Sequence, residues 1–176
     1  MKIQIMDRAK KKKFLAGLAE FGVGKVLEML VRSGKERIRA FSGSLSREEI
    51  MAIWRLFPIE GVGLYVGKEF VNRSGAREVR LSVDGMHVWK ELLTDKIFVL
   101  SEEQEAMWFL GQDIEIDEGQ CVYEGFVLVK SADGKDFVGM GKIGVRRQII
   151  DDRKNGKGKT LFGYLPKERR RRSSVV

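Results

Sequence analysis

The sequence predicts an α+β protein with a small N-terminal α/β domain over residues 1–94 and a C-terminal β-barrel over residues 95–168, followed by a basic tail at 169–176. Two observations support this division. In the first half, segments with apolar residues at helical spacing alternate with segments in which every second residue is apolar. In the second half, short apolar strands recur about ten residues apart with glycines between them, a spacing typical of small barrels.

The first predicted elements are two helices and a strand. Residues 14–21 place apolar side chains at helical spacing behind a run of lysines, and the glycines after them end that helix. Residues 26–31 have the same spacing and predict a second short helix that ends at Gly34. Residues 38–41 predict a strand.

A capping box marks the start of the next helix. Ser46 and Glu49 have the spacing that lets each side chain accept a hydrogen bond from a free amide at a helix N-terminus. Pro58 ends this helix. Its predicted buried face consists of Ile50, Ile53, Trp54 and Phe57.

Two strands and a helix complete the N-terminal domain. Alternating apolar residues predict strands over 62–66 and 79–83, joined through a turn at Ser74-Gly75. A further turn at Asp84-Gly85 precedes a short helix. The apolar side chains of that helix are Val88, Trp89, Leu92 and Leu93.

The C-terminal half opens with a strand over residues 97–100. A second capping box follows, formed by Ser101 and Gln104, and it predicts a helix with Trp108 in the core. Gly111 is expected to end this helix in the left-handed conformation. Four or five short strands then complete the barrel.

The net charge of +8 is distributed unevenly along the chain. Residues 146–172 hold eleven Lys and Arg against three acids, a balance of +8, whereas residues 96–142 hold four Lys against ten acids, a balance of −6. Such polarity suits a protein that presents one face to a phosphate backbone. The other interpretation of the basic end is a solvated tail that aids solubility.

The sequence shows no catalytic or metal-binding set of residues. Cys121 is the single cysteine, so neither an internal disulfide nor a thiolate metal site is expected. His87 is the single histidine, and no Ser, Cys or carboxylate stands at a suggestive distance from it in the sequence. A phosphate loop of the Gly-Lys-Ser/Thr type is also missing. We therefore expect a protein that is not an enzyme and that holds no cofactor or metal.

The expected location is the cytoplasm. The longest apolar stretches fall well short of the ~18 residues that a membrane span needs. The lysines at 10–13 interrupt the N-terminus, so the apolar core of a signal peptide is not found there. These features predict a soluble protein that has no membrane partner.

Three segments of the C-terminal half carry a family resemblance. A helix is followed by Phe109-Leu-Gly-Gln-Asp-Ile114, a hairpin, and Phe137-Val-Gly-Met-Gly-Lys142. This order, over residues 96–167, resembles a PUA domain, the barrel shared by pseudouridine synthases and archaeosine transglycosylases. The ending Leu165-Pro-Lys-Glu-Arg-Arg170 is similar to the C-terminal PUA region of archaeal RNA cytosine-5 methyltransferases of the Sun type. By element order alone, the first half resembles the small α/β domain that precedes a PUA barrel in a ribosome-biogenesis factor.

The resemblance implies a PUA-like β-barrel that binds structured RNA, either tRNA or rRNA. The chain would then act as an accessory factor in RNA modification or ribosome biogenesis, with an RNA methyltransferase or another modification enzyme as a protein partner. It departs from the methyltransferases, because it lacks Gly-x-Gly-x-x-Gly between a strand and a helix and has Cys121 as its single thiol. Methyltransferase activity of this chain is therefore not expected.

The predicted RNA contacts are basic residues near the C-terminus and one tyrosine. Lys and Arg neutralise phosphates, and aromatic rings stack on unpaired bases. The predicted set is Lys142, Arg146, Arg147, Lys154, Lys157, Lys159, Tyr164, Lys167, Arg169, Arg170, Arg171 and Arg172. The arginine run is expected to be disordered without RNA, since blocks of like charge repel. The lysines at 10–13 either form a solvated helix face or extend the RNA surface.

Two functions from other classes compete with RNA binding. A protein adaptor would use the acidic part of the barrel, within residues 96–142, to dock a separate RNA-modifying catalytic subunit. A small-molecule enzyme would need a constellation of reactive side chains that the sequence does not display.

Overall fold

The structure is a computed structural model that describes residues 3–57, 59–117, 119–145 and 159–171. The chain divides into two compact units, Met1–Asp95 and Lys96–Val176. In the described residues each unit contains helices and a five-stranded sheet, and one of the sheets curls into a half-barrel. The predicted mixed α+β class is therefore confirmed.

The sheet of the first unit has strand order β1-β2-β3-β4-β5, and each strand is antiparallel to its neighbours. Its strands are β1 Ile3–Ile5, β2 Met29–Ser33, β3 Arg37–Phe41, β4 Leu64–Val71 and β5 Arg77–Leu81. Its α-helices are α1 Arg8–Leu18, α2 Arg47–Leu56 and α3 Val83–Val88, and its short 3₁₀ helices are Ala19–Phe21 and Lys90–Leu92.

The segment after the lysines forms α1 and a 3₁₀ turn, as predicted. Phe14, Leu18 and Phe21 are all fully buried. The strand predicted over 38–41 is β3, and the two strands predicted after α2 are β4 and β5. The turn at Ser74-Gly75 joins the last two strands, as expected.

The helix predicted over residues 26–31 is wrong, because its second half belongs to β2 and its first half is not helical. Leu30 and Val31 are adjacent in the strand, so they lie on opposite faces of the sheet, and both are buried. A strand that is buried on both faces has a continuous apolar run, and a helical pattern fits such a run equally well.

The capping box at Ser46 is confirmed at the start of α2. The amide of Glu49 donates to Ser46 Oγ at 3.2 Å, and the amide of Ser46 donates to the Glu49 carboxylate at 2.7 Å. The predicted buried face is only partly right, since Ile50 is 1% exposed whereas Ile53 and Phe57 are 37% and 65% exposed. Ile50 packs with apolar side chains of β1 and β2, which places α2 over that part of the sheet.

The turn predicted at Asp84-Gly85 lies inside a helix instead. The Ser82 hydroxyl accepts a hydrogen bond from the Gly85 amide at 3.0 Å, so Ser82 caps α3 and the helix begins at Val83. A Cβ at Gly85 would lie 2.1 Å from the carbonyl oxygen of Val66. The glycine therefore allows α3 to approach the backbone of β4.

The sheet of the second unit has strand order β6-β8-β9-β10-β7. Strands β6 and β8 are parallel, and the other neighbours are antiparallel. The elements are β6 Ile97–Val99, α4 Glu102–Leu110, β7 Ile114–Ile116, β8 Gly125–Lys130, β9 Phe137–Val145, β10 Lys159–Gly163 and a 3₁₀ helix Lys167–Arg169. The predicted capping box at Ser101 and the left-handed stop at Gly111, with a φ of 74°, are confirmed.

Trp108 of α4 fills the centre of the second unit and is 1% exposed. Its ring lies against two glycines, because a Cβ at Gly139 or Gly163 would stand 2.7 or 3.2 Å from ring atoms. Apolar side chains from several strands surround it, including Val127, Val129, Ile143 and Leu161. Trp89 is likewise buried in the first unit, whereas Trp54 is half-buried.

Candidate nucleic-acid interface

The predicted RNA contacts fall into two groups. Arg146, Arg147, Lys154, Lys157 and Arg172 lie outside the described residues. The others lie in the second unit, on strands β9 and β10 and in the segment that follows: Lys142, Lys159, Tyr164, Lys167, Arg169, Arg170 and Arg171.

Lys142 and Tyr164 are brought together by Phe126. Lys142 is the cross-strand partner of both Phe126 and Phe162, so these side chains share one face of the sheet. Lys142 Nζ lies 5.1 Å from the centre of the Phe126 ring, and the ring of Tyr164 lies 5.7 Å from the same ring. Tyr164 is 41% exposed. A cation and a partly exposed phenol therefore both lie against the Phe126 ring, which suits contact with a phosphate and a base.

Lys159 lies at the start of β10 and forms an ion pair with Glu124 across 3.8 Å. Glu124 is largely exposed, and exposed ion pairs of this kind contribute little to stability. A phosphate could therefore compete with the carboxylate for Lys159 at low energetic cost.

The structure describes Arg169 to Arg171 of the arginine run with defined contacts. Arg169 ends the 3₁₀ helix, and Arg170 Nε donates to the Leu165 carbonyl oxygen at 3.1 Å. The amide of Arg171 donates to the Phe109 carbonyl oxygen at 2.7 Å, and its guanidinium lies 5.2 Å from the centre of the Phe109 ring. Contacts with helix α4 thus hold this part of the run against the second unit.

Arg171 also borders a cavity of about 480 Å³ between α4 and the β8–β9 turn. Ser131 and Ala132 line this cavity together with four acidic residues, Glu102, Glu105, Asp133 and Asp136. The hydrogen bond from the Ser131 hydroxyl is the main cause that lowers the pKa of Asp133, and the amide of Lys135 adds to it. Arg171 therefore brings one positive charge to a cavity that is lined mainly by acidic side chains.

A second basic surface lies on the first unit, and the sequence analysis missed it. We define the open sheet face as Arg37 of β3, Tyr65, Lys68 and Phe70 of β4, and Arg80 of β5. Arg37 pairs with Lys68, and Lys68 pairs with Arg80, so the three cations form a row across the sheet. Phe70 lies two residues beyond Lys68 and faces the same side, where it pairs with one acid, Glu78 of β5.

Tyr65 belongs to this face because it pairs with Arg39, two residues along β3 from Arg37. Burial raises the pKa of the Tyr65 phenol, and the charges of Arg80 and Arg37 oppose that shift. The ring is therefore neutral at physiological pH and stands among cations.

Lys68 links the aromatic and basic parts of the open sheet face. Its Nζ lies 4.8 Å from the centre of the Phe70 ring and 3.5 Å from the Glu36 carboxylate. Arg39 has a structural role instead, since its Nη1 donates to the Gly63 carbonyl oxygen at 2.9 Å.

The signal for the open sheet face is present in the sequence as alternation of polar residues. Arg37 and Arg39 alternate with buried Ile38 and Ala40, and Arg80 stands between buried Val79 and Leu81. The strands predicted over 38–41 and 79–83 depend only on the apolar members of these patterns. The register of the strands is needed to determine which polar residues share a face of the sheet.

The lysines at 10–13 differ in their contacts and in their exposure. Lys11 Nζ donates to the carbonyl oxygens of Val26 and Glu28 at 2.9 and 3.0 Å, which ties α1 to the segment before β2. Lys12 is exposed, whereas Lys10 and Lys13 line a cavity of about 250 Å³. Lys11 therefore does not belong to a solvated helix face, and an extension of the RNA surface by these lysines stays a prediction.

Within the part of the chain that the structure describes, no helix has the length and apolar character needed to span a bilayer. The same residues contain no group of three or more His, Cys, Asp or Glu side chains arranged to hold a metal ion. No protein-family model matches the chain, and no curated protein matches it either, so the resemblance to PUA domains rests on the sequence segments quoted above.

Proposed function

We propose that this protein binds structured RNA, either tRNA or rRNA, without catalysing a reaction on it. It would serve as an accessory factor in RNA modification or ribosome biogenesis. The observation that supports this most directly is the open sheet face, where Tyr65 and Phe70 lie among Arg37, Lys68 and Arg80.

The composition of this face fits RNA for two physical reasons. Cations neutralise backbone phosphates and release counterions, which provides affinity without reading sequence. Aromatic rings stack on bases that are not paired, at about 1–3 kcal/mol per base. Structured RNA presents phosphates and unpaired loop bases together, whereas duplex DNA presents phosphates and keeps its bases stacked.

The second unit would contribute a further contact through its PUA-like barrel. The pair of Lys142 and Tyr164 supports this assignment, because it places a cation beside an exposed ring. The predicted contacts that lie outside the described residues belong to the same basic stretch of sequence, residues 146–172.

The salt dependence of binding tests the open sheet face. Arg37→Gln with Arg80→Gln removes two cations, and we expect the slope of log affinity against log salt to fall by about 1.4 to 1.8, since each phosphate contact contributes about 0.7 to 0.9. Fluorescence anisotropy with a labelled tRNA at several salt concentrations gives the slope.

The matched control for that experiment is Arg47→Gln with Arg73→Gln, which removes two exposed cations of the same unit outside the face. We expect this control to leave the slope nearly unchanged. Equal slopes for the two double variants would place the RNA elsewhere. Thermal unfolding of both variants shows whether each remains folded at the assay temperature.

The arginine run gives a separate prediction. Replacing Arg169 to Arg172 with alanine is expected to weaken RNA binding and to lower the slope by about one for each phosphate contact that is lost. Arg171→Ala alone measures how much of any effect follows from the lost contact with Phe109. An unchanged slope in the fourfold variant would show that the run does not contact the phosphates.

A protein adaptor is the second candidate function, and the acidic cavity between α4 and the β8–β9 turn favours it. Four carboxylates around one arginine leave a surplus of negative charge that suits a basic partner protein. A stoichiometric protein that remains bound after nuclease treatment would support the adaptor, and its loss after nuclease treatment would support RNA binding.

A further inference from the structure

The basic cavity of the first unit lies at one end of α1. It has a volume of about 250 Å³ and is lined by Lys10, Lys13, Arg32, Glu69 and Arg77. These residues come from α1, β2, β4 and β5. Four cations from three separate segments of the sequence therefore converge on one small space.

Glu69 organises the cavity. This side chain is only 6% exposed, and a buried carboxylate needs ionic or hydrogen-bonded partners. It accepts a hydrogen bond from Arg32 Nη2, and Arg77 Nη1 lies 3.4 Å from its other oxygen. Arg32 is fixed further, because its Nη1 donates to the Lys35 carbonyl oxygen at 2.8 Å. Both guanidinium groups are thus oriented before any ligand arrives.

One carboxylate does not neutralise the cavity. Its lining holds four cations and one anion, which gives 4 − 1 = +3. Asp7 lies 3.5 Å from Lys10 Nζ and lowers the balance to about +2 when it is included. The cavity therefore retains a positive charge that an anion would offset.

The charged residues in the first turn of α1 add to the positive potential of the cavity. Acidic residues usually occupy the first turn of a helix, because the N-terminal end of the helix dipole is positive. The first turn of α1 has no acidic residue, and Arg8 and Lys10 stand there instead. The N-cap residue Asp7 offsets part of this charge, since its carboxylate accepts a hydrogen bond from the Lys10 amide at 2.8 Å.

We propose that the basic cavity binds a phosphate monoester. A pocket of about 250 Å³ lies below the usual range of roughly 300–1,000 Å³ for drug-sized ligands, so it suits a single phosphate group. A monoester carries about −1.5 to −2 at neutral pH, whereas a phosphodiester carries about −1. A balance of +2 to +3 matches the monoester more closely. Guanidinium groups also hold phosphates through paired hydrogen bonds.

This site is distinct from the open sheet face and does not depend on RNA binding there. Glu69 pairs with Val79, whereas the neighbouring Lys68 pairs with Arg80. Adjacent residues of a strand lie on opposite faces of a sheet. The basic cavity and the open sheet face are therefore on opposite sides of β4.

Calorimetric titration of the full chain with inorganic phosphate tests the proposal. We expect saturable binding that Lys13→Gln and Arg77→Gln each weaken by about tenfold, the effect of losing one charge-assisted hydrogen bond. Lys13 is exposed, so its change should not disturb folding, and in Arg77→Gln the buried Glu69 keeps Arg32 as its ionic partner. Circular dichroism and thermal unfolding verify this for each variant.

The matched control is Lys12→Gln, which removes the same charge from the same helix outside the cavity. We expect it to bind phosphate within about twofold of the unmodified chain, since a distant exposed charge is screened. Absence of saturable phosphate binding would overturn the proposal. An equal loss in Lys12→Gln and Lys13→Gln would also overturn it, because it would reduce the effect to net charge.

The phosphate could come from an RNA end or from a free phosphate compound. Two oligoribonucleotides of one sequence, one with a 5′-phosphate and one with a 5′-hydroxyl, separate these sources. A preference for the 5′-phosphate that Arg77→Gln abolishes assigns the site to an RNA end. Binding of inorganic phosphate with no such preference assigns it to a small phosphate monoester.

Discussion

Replacing Tyr65 and Phe70 together with alanine is expected to lower the affinity for RNA with an unpaired loop by roughly 30-fold or more, if the open sheet face binds RNA as proposed. Two stacked bases would be lost, at about 1–3 kcal/mol each. Arg37, Lys68 and Arg80 remain in this variant, so the salt dependence of binding should change little.

The informative measurement compares two RNAs by fluorescence anisotropy. One is a hairpin with an unpaired loop, and the other is a perfect duplex of the same number of nucleotides. The duplex offers phosphates but no accessible bases, so its affinity should fall much less than that of the hairpin. An equal loss for both RNAs would show that the two rings do not stack on bases.

A control variant, Phe57→Ala, accompanies this experiment. Phe57 is 65% exposed and belongs to the same unit, but it follows α2 and lies outside the open sheet face. Its removal should leave hairpin affinity unchanged. Tyr65 and Phe70 are half-buried, so thermal unfolding of the double variant must confirm that the protein is folded where binding is measured.

Local signals in the sequence predicted much of the fold. Both capping boxes and the left-handed stop at Gly111 depend on residues within one or two turns, and all three are confirmed. The prediction over residues 26–31 was wrong because Leu30 and Val31 are both buried, on opposite faces of β2. Burial on both faces removes the alternation that identifies a strand.

The candidate sites were harder to predict, because they depend on long-range register and packing. The basic cavity joins residue 10 with residues 32, 69 and 77, and no spacing in the sequence indicates that they meet. The open sheet face needs the antiparallel order of β3, β4 and β5 before its rows of cations and rings become visible. Local motifs in one sequence therefore direct attention to the C-terminal arginines, which are adjacent along the chain.

Trp108→Ala is expected to lower the free energy of unfolding of the second unit by about 3–5 kcal/mol, the usual cost of removing a large aromatic side chain from a core. Trp108 is 1% exposed and fills the space beside Gly139 and Gly163. Glycine backbones have no side chains that could move into the vacated volume, so little of the cavity should close. Native-state hydrogen exchange of the amides in β8, β9 and β10 measures the loss.

Trp108→Phe separates cavity formation from the loss of the indole N–H. Within the described residues this buried N–H has no hydrogen-bond partner, so its removal should cost nothing beyond the smaller ring volume. We therefore expect Trp108→Phe to retain most of the stability that Trp108→Ala loses. Equal losses in the two variants would contradict packing as the main role of the ring.

Gly139→Ala completes a double-mutant cycle with Trp108→Ala. A Cβ at residue 139 would lie 2.7 Å from Trp108 Cζ2, closer than side chains tolerate, so Gly139→Ala alone should destabilise the second unit by about 1–3 kcal/mol. In the Trp108→Ala background the same methyl group would enter the empty space, so only the backbone cost of an alanine at a φ of 159° would remain. A coupling energy near zero would show that the ring and the glycine do not share a contact. A coupling energy of about 1 kcal/mol or more would show that Trp108 can occupy the core because residue 139 has no side chain.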